Sequence, residues 1–414
     1  MLAYLDHQAT TPCDPAVVVA MAPWWTEQFA NPASRLHRPG LLAAAAVDQA
    51  RAQILGHLGL AAGDPNGQPN GDRWGDPISD AAGNPSGDFT GDRAGARLIF
   101  TSGATEANNL ALKGLAEAEL AAGGSRRQFV TLATEHRAVL DPLRYLARHG
   151  FQLTELPVGG DGLVDLGQLE AALGPETLVV SVMAANNEIG VLQPLAAIGS
   201  LCRQRAIPFH CDGAQAVGHI ALNPAELGID LLSLSGHKLY GPKGIGALAI
   251  SRPLALAPQL HGGGQQGGLR AGTLPVPLIV GLAAAMELAQ ADRLEREQRL
   301  GTLREQLWQG LEALGGIRRN GAASPRLAHN LNVCVDGVEG GALHRALRRQ
   351  LAVSGGSACS SGEPSHVLAA LGLSRLEAAA SIRFGLGRST SATEIEQAIA
   401  AVAEALSQLR APRG

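Results

Sequence analysis

The chain has 414 residues, 46% of them hydrophobic and 17% charged, which suffices for two domains with substantial cores. Its formal net charge is −4, so no basic excess points to nucleic acid or to an anionic membrane. The five cysteines are too scattered for a disulfide framework or a metal site, and the N-terminal residues lack the pattern of a signal peptide. We therefore expect a reduced cytoplasmic protein with no membrane span and no bound metal.

Short apolar, β-branched runs alternate with amphipathic stretches along most of the chain. The predicted strands are 97–101, 129–133, 178–184, 208–212, 231–235 and 245–250. The predicted helices between them are 105–122, 137–149, 165–173 and 194–205. Strands separated by helices indicate βαβ units and a mostly parallel sheet, which we assign to a large domain over 15–262.

From residue 263 the pattern becomes that of a smaller α+β domain, 263–414. We predict, in order, a helix at 277–314, a strand at 329–335, helices at 339–351 and 364–371, a strand at 380–386 and a helix at 392–409. Ser391 and Glu394 have capping-box spacing at the start of the last helix. We expect residues 1–14 to pack with this domain.

Residues 63–94 interrupt the alternation of strands and helices. They divide into eight tetrads, seven of which begin with glycine, and they show no apolar period of 2 or 3.6 residues. We interpret them as a polar surface insertion that could be deleted without loss of activity. A calcium-binding loop array is the alternative, although no glutamate is placed to close any loop as a bidentate ligand.

Three motifs follow predicted strands and together suggest one cofactor. Lys238, after the strand 231–235, could form a Schiff base with an aldehyde; Asp212, at the end of 208–212, could pair with a protonated pyridine nitrogen. Gln215 could reach a neighbouring ring oxygen. In the turn 101–109, small residues up to Ala104 and the hydroxyl of Thr105 suit a phosphate at a helix N-terminus.

Each motif alone has an ordinary explanation: a surface lysine, a helix-capping aspartate or a simple strand-to-helix turn. An imine-forming lysine, a carboxylate for a pyridinium and a phosphate cradle are together what pyridoxal 5′-phosphate requires. His136, just after the strand 129–133, could stack on its ring, and Asn187, after 178–184, could bind substrate or cofactor. A capping histidine and a turn asparagine are the corresponding structural alternatives.

Two residues of the small domain suggest a substrate and a nucleophile. Cys359 lies among glycines and serines, where a thiol can move and ionise, whereas a harmless loop cysteine is the alternative. Cys202, Cys211 and Cys334 lie in apolar or strand-like contexts that suit packing. Arg383, on the strand 380–386, suits a bidentate clamp on an amino-acid carboxylate.

With these motifs in place, the chain resembles the cysteine desulfurases of the IscS/NifS type, within the class V aminotransferase group of fold-type I pyridoxal enzymes. The resemblance runs over nearly the whole chain, through the segments YLDHQATTP, NPASRLHRPG, TSGATEANN, TEHRAVL, NNEIGVLQP, CDGAQAVG, SGHKLYGPKGIGAL, HGGGQQGGLRAGTLP, SGGSACSS and SIRFGLGR. It implies an aspartate aminotransferase-like α/β fold with a mostly parallel seven-stranded sheet and a smaller C-terminal domain.

The resemblance also implies a role for each candidate residue. Lys238 would carry pyridoxal 5′-phosphate, with Asp212 on the pyridine nitrogen, Gln215 on the ring hydroxyl and His136 stacked on the ring. The remaining cofactor contacts would be Ala104, Thr105, Ser235 and His237, and Thr273 of the partner subunit in a homodimer. Asn187 and Arg383 would hold the carboxylate of L-cysteine, and Cys359 would take its sulfur as a persulfide.

Other functions are also compatible with these residues. A pyridoxal-dependent cysteine C–S lyase or a class V aminotransferase would use the same cofactor, and a non-catalytic sulfur carrier would need a failed cofactor site. The acceptor could be an iron–sulfur scaffold or serve another thio-cofactor or tRNA pathway. The loop of Cys359 is slightly shorter than is typical, and the chain ends soon after its last predicted helix, so we expect desulfurase chemistry more than scaffold docking.

Overall fold

The described part of the chain, residues 2–60, 95–355 and 365–410 of a computed structural model, contains three β-sheets with helices around them. The strands are β1 (Ala3–Tyr4), β2 (Arg97–Thr101), β3 (Gln128–Leu132), β4 (Gln152–Leu156), β5 (Thr177–Ser181), β6 (Phe209–Asp212), β7 (Leu231–Ser235), β8 (Gly246–Ile250), β9 (Ile317–Arg319), β10 (Asn330–Val335), β11 (Leu351–Ala352) and β12 (Ser381–Gly385). The helices are α1 (Pro15–Met21), α2 (Pro23–Thr26), α3 (Arg38–His57), α4 (Ala104–Ala121), α5 (Arg137–Ala147), α6 (Leu166–Ala172), α7 (Leu195–Gln204), α8 (Pro224–Leu227), α9 (Val276–Ala291), α10 (Arg293–Glu312), α11 (Gly340–Leu347), α12 (His366–Ala370), α13 (Arg375–Ala379) and α14 (Ala392–Arg410).

The largest sheet has seven strands in the order β2-β8-β7-β6-β5-β3-β4. Only β8 runs antiparallel to its neighbours β2 and β7, which confirms the mostly parallel sheet predicted from the alternating pattern. Every residue of β5 and β7 is buried, as expected for strands covered by helices on both faces. One strand of this sheet, β4, was not predicted.

The candidate functional residues lie at the carboxyl ends of the parallel strands of this sheet. The carboxyl ends of β5, β6 and β7 lie side by side because these strands are parallel neighbours. β6 ends at Asp212, and a single 3₁₀ turn, Gly236–Lys238, follows β7 directly. Ligands in open α/β sheets bind at the carboxyl ends of the strands, so the fold itself brings these side chains to a binding edge.

A second unit is built on the antiparallel sheet β12-β10-β9. Its apolar cluster includes Leu331 and Val333 of β10 together with leucines of α10 and apolar residues of α14. The N-terminal strand joins this unit, since β1 pairs in parallel with β11 and Leu5 is buried in the same cluster. At the start of α14, Ser391 and Glu394 exchange hydrogen bonds, which confirms the predicted capping box.

The single helix predicted over 277–314 is wrong, because α9 ends at Ala291 and α10 begins at Arg293. The apolar side chains of α9 pack in the core of the large sheet, whereas those of α10 pack in the second unit. By its packing α9 lies with the large unit, although the domain boundary predicted from sequence falls earlier, at 262/263.

Helix α11 ends at Leu347, before the predicted end at 351, because residues 351 and 352 form β11 and pair with β1. Among the helices of the described ranges, none combines the length and apolar character needed to cross a bilayer. The predicted insertion at 63–94 lies outside the described residues, and so does Cys359.

Candidate active site

Lys238 lies at the end of the 3₁₀ turn that follows β7, next to the N-terminal segment. Its Nζ donates to the backbone carbonyls of Gln8 at 2.5 Å and Ala9 at 2.9 Å. Gln215 donates from Nε2 to the same Gln8 carbonyl at 3.1 Å. The structure thus brings Lys238 and Gln215 together through a residue that sequence analysis did not single out.

Asp212 is buried at the end of β6, and both of its carboxylate oxygens are bonded. Oδ2 accepts a hydrogen bond from Nδ2 of Asn108 at 2.7 Å, and Oδ1 accepts one from the backbone N–H of Ala214 at 2.9 Å. Asn108 is fully buried on α4, within the motif 101–109, yet its role was not predicted. An asparagine on the apolar face of a helix is the signal that could have identified it.

His136 caps the N-terminus of α5, where its Nδ1 accepts the backbone N–H of Ala138 at 3.0 Å. The neutral ring therefore carries its proton on Nε2. Burial lowers the pKa of His136, while Asp212 opposes this shift and Lys238 adds to it. Asp212 and Lys238 therefore lie within electrostatic range of this imidazole, and His136 also caps α5.

The turn before α4 lies against the end of β7. A Cβ on Gly246 of the neighbouring strand would lie 2.6 Å from the Cα of Gly103, so only glycine permits this approach. Oγ of Ser235 lies 3.9 Å from the position of a Cβ on Gly103. Ala104 and Thr105 form the first turn of α4 beyond it, and Thr105 is exposed. A hydroxyl beside a helix N-terminus is a site that could hold a phosphate.

His237 lies between this turn and the N-terminal segment. Its Nδ1 is 3.1 Å from Oγ1 of Thr10, and its backbone carbonyl accepts from Oγ1 of Thr11 at 2.9 Å. Burial, together with the nearby Lys238 and Lys243, lowers the pKa of His237 to about 4. At neutral pH it is an uncharged imidazole that can donate one hydrogen bond and accept another.

Thr273 is exposed on the described chain. Its segment is joined to the first turn of α4 by an ion pair, in which Nε of Arg270 lies 2.7 Å from Oε1 of Glu106. Burial would raise the pKa of Glu106, but hydrogen bonds from Arg270 and Ser102 outweigh it and hold that pKa below its usual range. The predicted contact of Thr273 with a partner subunit stays a prediction.

Arg383 and Asn187 meet at the boundary between the two units. Nη1 of Arg383 donates to the carbonyl of Asn187 at 2.9 Å, and Nη2 pairs with Oδ1 of Asp6 at 2.7 Å. Arg383 is 2% exposed. Within the described residues, its Nε and Oδ1 of Asn187 are buried without a hydrogen-bond partner. Unpaired buried polar atoms are costly, and a bound carboxylate would satisfy the guanidinium.

Cys359 was predicted to be the nucleophile, and its position is outside the described ranges. The described residues on either side of its segment contact the site. The backbone N–H of Arg383 donates to the carbonyl of Ser354 at 2.7 Å, and Oγ of Ser365 donates to Oε2 of Glu188 at 2.5 Å. Both attachments therefore lie next to the residues predicted to hold the substrate carboxylate.

The arrangement combines an amine, a buried carboxylate, a neutral imidazole and a helix N-terminus at one sheet edge. These groups match the aldehyde, ring nitrogen, ring face and phosphate of pyridoxal phosphate. Over the ranges that the structure describes, no cluster of three or more histidine, cysteine or acidic side chains is placed to bind a metal ion. The chemistry that fits the site is that of an organic cofactor with an amino-acid substrate.

The fold is that of the fold-type I pyridoxal phosphate enzymes. The model of the family described as aminotransferase class-V matches residues 3–62 and 87–398. The chain belongs to this family, whose members in general depend on pyridoxal phosphate. The match is interrupted over 63–86, inside the glycine-rich tetrads.

Relatives and solved structures narrow the comparison within this family. The cysteine desulfurase IscS of Dechloromonas aromatica is 42% identical over 98% of this chain and 93% of its own length. That of Vibrio cholerae is 44% identical over 99% and 93%. A solved NifS-like protein has a TM-score of 0.84 at 32% identity, covering 99% of this chain and all of its own. SspA in complex with cysteine has a TM-score of 0.74 at 35% identity, covering 93% and 98%.

Proposed function

We propose that this protein is a cysteine desulfurase that converts L-cysteine to L-alanine and keeps the sulfur as a persulfide on Cys359. The observation that carries the proposal is that Lys238 and Gln215 meet at the carbonyl of Gln8, beyond the strand that ends at Asp212, while the buried Arg383 has an Nε without a partner among the described residues. Near-full-length similarity to proteins named cysteine desulfurase supports the same activity.

Pyridoxal phosphate would be held by groups that the structure already orders. Asp212 would accept a hydrogen bond from the protonated ring nitrogen, because its carboxylate is kept in place by Asn108 and Ala214. Ser235 and Thr105 would bind the phosphate with His237, and Lys238 would bind the aldehyde carbon. When bound, the cofactor supplies an electron-accepting ring that spreads the negative charge developing at the substrate Cα.

The substrate carboxylate would lie against Arg383 and Asn187. Two of the three guanidinium nitrogens are bonded to Asn187 and Asp6, so the substrate carboxylate would satisfy the third, Nε. A buried, charge-assisted contact of this kind binds tightly and excludes amines that lack a carboxylate. This placement selects an α-amino acid and aligns its Cα and thiol for the reaction.

The remaining steps are proton and sulfur transfers by the chain's own residues. The Nζ of Lys238 would take the proton from the substrate Cα and later return it. The thiolate of Cys359 attacks the substrate sulfur, a sulfur–sulfur bond forms, and the carbon–sulfur bond breaks. Its electron pair returns to carbon, which takes up a proton, so L-cysteine and a thiol become L-alanine and a persulfide.

Two other activities would use the same cofactor. The requirement for the thiol of Cys359 distinguishes cysteine desulfurase activity from both. A C–S lyase would release sulfide, and an aminotransferase would release a keto acid, neither of which requires Cys359. We therefore test Cys359→Ala against Cys13→Ala, since Cys13 is a half-exposed thiol of the N-terminal segment. L-Alanine and protein persulfide are measured after addition of L-cysteine, with and without a reductant.

We expect Cys359→Ala to abolish persulfide formation while retaining the visible absorbance of lysine-bound cofactor, and Cys13→Ala to behave as wild type. Persulfide formation that survives Cys359→Ala would overturn the proposal. A purified protein that binds no pyridoxal phosphate would instead favour a non-catalytic sulfur carrier.

The same proposal includes a homodimer, a protein acceptor for the sulfur, such as an iron–sulfur scaffold, and a cytoplasmic location. Thr273 of one subunit would reach the cofactor phosphate of the other, which suits its exposure here. The four cysteines of the described ranges are free thiols, as a reducing compartment requires. Sedimentation should give twice the chain mass, and Thr273→Val should weaken cofactor binding without dissociating the dimer.

A further inference from the structure

Two asparagines of β10 hold the turn that carries Asn187. Nδ2 of Asn330 and Nδ2 of Asn332 both donate to the backbone carbonyl of Glu188, each at 3.0 Å. The preceding carbonyl, that of Asn187, accepts the hydrogen bond from Arg383. Side chains of one antiparallel sheet in the second unit therefore bind two successive carbonyls of a turn in the first.

The three donors are arranged by the pairing of β10 with β12. Asn332 is the direct cross-strand partner of Arg383. Directly paired residues of antiparallel strands project their side chains to the same face. Asn332 and Arg383 thus reach the turn together, and a shift of one relative to the turn would move the other.

The amide of Asn332 is itself oriented by a further buried amide. Its Oδ1 accepts a hydrogen bond from Nδ2 of Asn320 at 2.8 Å, so its Nδ2 is left to face the Glu188 carbonyl. Asn320 also donates to Oγ of Ser381 at 3.1 Å. Both asparagines are buried, where a fully bonded polar network selects one arrangement of its members.

Asn330 connects the turn to the residues around Lys238. Besides the Glu188 carbonyl, its Nδ2 lies 2.5 Å from Oε1 of Gln8, whose backbone carbonyl accepts from Lys238. The turn admits Asn330 only because it contains Gly190, which has a φ of +70°. A Cβ on Gly190 would lie 2.5 Å from the Cβ of Asn330.

We propose that Asn332, assisted by Asn330, is a positioning residue for the substrate carboxylate. It holds the turn so that the side chain of Asn187 and the Nε of Arg383 converge on one carboxylate. The inference rests on the proposed function, since it assumes an amino-acid substrate at this place. Its consequence is specific: loss of Asn332 should weaken binding of ligands that carry a carboxylate and leave other amines unaffected.

The test uses two ligands that differ only in this group, L-alanine and ethylamine, with the cofactor-loaded enzyme. Both amines can react with the bound cofactor and change its visible absorbance, and neither contains sulfur. In Asn332→Leu the dissociation constant of L-alanine should rise about tenfold, as expected for a misplaced charge-assisted contact, while that of ethylamine changes less than about twofold. For L-cysteine, KM should rise more than kcat falls.

Val333→Ala is the matched control, because Val333 is the next residue of β10 and projects into the apolar cluster on the other face. It should lower the thermal midpoint and leave the ratio of the two dissociation constants unchanged. If Asn332→Leu does not fold, Asn332→Ser, which keeps a small polar group, replaces it. The pH dependence of the cofactor absorbance should match wild type in both.

The outcomes separate this inference from the proposed function. A wild-type enzyme that binds L-alanine no better than ethylamine has no carboxylate site, and the proposed function itself then fails. If wild type prefers L-alanine to ethylamine and the Asn332 variant shows the same preference, only the positioning role is overturned. Equal weakening of both ligands in the variant also overturns it, because a general structural defect explains that result.

Discussion

The side-chain amide of Asn108 donates a hydrogen bond to Oδ2 of Asp212 at 2.7 Å, and the two residues are 0% and 6% exposed. A carboxylate so deeply buried needs partners that replace water. Asn108 supplies one from α4, the helix whose first turn is the candidate phosphate site. One helix therefore contributes to both ends of the proposed cofactor.

Replacing Asn108 by leucine should weaken cofactor binding and protein stability together. Leucine has a similar size but no donor, and a lost hydrogen bond to a charged group costs about 2 kcal/mol. We expect the dissociation constant of pyridoxal phosphate, measured by absorbance during reconstitution, to rise at least about tenfold. Asn109→Leu is the control, since Asn109 bonds only to a helix carbonyl in the described chain; similar losses in both variants would contradict the role of Asn108.

Removal of the carboxylate of Asp6 should destabilise the protein far more than removal of an exposed one. Asp6 pairs with Arg383, whose side chain is 2% exposed, so Asp6→Asn leaves a buried cation without the countercharge of that carboxylate. Breaking a buried pair costs about 3 kcal/mol, whereas Glu170→Gln, in an exposed pair with Arg205, should cost less than about 1 kcal/mol. Urea unfolding of both variants measures the difference, and equal effects would show that Arg383 does not depend on Asp6.

The strands of the central sheet are predictable where most of their residues are apolar. β2 and β7, with the sequences RLIFT and LLSLS, occur at the predicted residues, because a strand covered on both faces is mostly apolar. β4, with the sequence QLTEL, was missed because three of its five residues are polar and most of the strand is only half buried. The break between α9 and α10 was missed because local periodicity does not tell which core a helix faces.

The residues that would react or bind the cofactor were predictable from the sequence, whereas the buried residues that hold them in place were not. Lys238, Asp212 and His136 lie at or shortly after the carboxyl ends of strands, so chain order alone places them at one end of the sheet. Asn330 and Gln8 are 322 positions apart in sequence, and Asn108 and Asp212 are 104 apart. Such contacts arise from tertiary packing, and an asparagine or glutamine carries no local pattern that reveals its partner.

Gly190 should be far less replaceable than another glycine with the same backbone conformation. Gly190 and Gly337 have φ values of +70° and +75°, yet a Cβ on Gly190 would lie 2.5 Å from the Cβ of Asn330, whereas one on Gly337 would meet nothing within 4 Å. Gly337→Ala should cost roughly 1 kcal/mol for the left-handed backbone alone. Gly190→Ala adds an overpacked contact and should cost about 3 kcal/mol or more. Urea midpoints compare them, and equal midpoints would show that the turn can move away from β10.

The free energy of unfolding should fall as the pH is lowered, and part of this fall should come from His210. His210 is fully buried on β6, where Nδ1 lies 2.8 Å from Oγ of Ser181 and Nε2 lies 3.1 Å from Oγ of Ser233. Burial lowers the pKa of His210 to about 4. Between that pKa and the ordinary value near 6.5, the unfolded chain binds a proton that the folded chain does not, so acid favours unfolding.

From pH 7 to pH 5 this one group should remove about 2 kcal/mol from the free energy of unfolding. His210→Gln keeps groups that can bond both serines and does not titrate, so its loss over the same interval should be smaller by that amount. Urea unfolding of wild type and variant at both pH values measures the difference. His149→Gln serves as the control for replacing a histidine by glutamine, because His149 is exposed on the surface. If His210→Gln loses as much stability as wild type between the two pH values, His210 is not a neutral buried group in the folded protein.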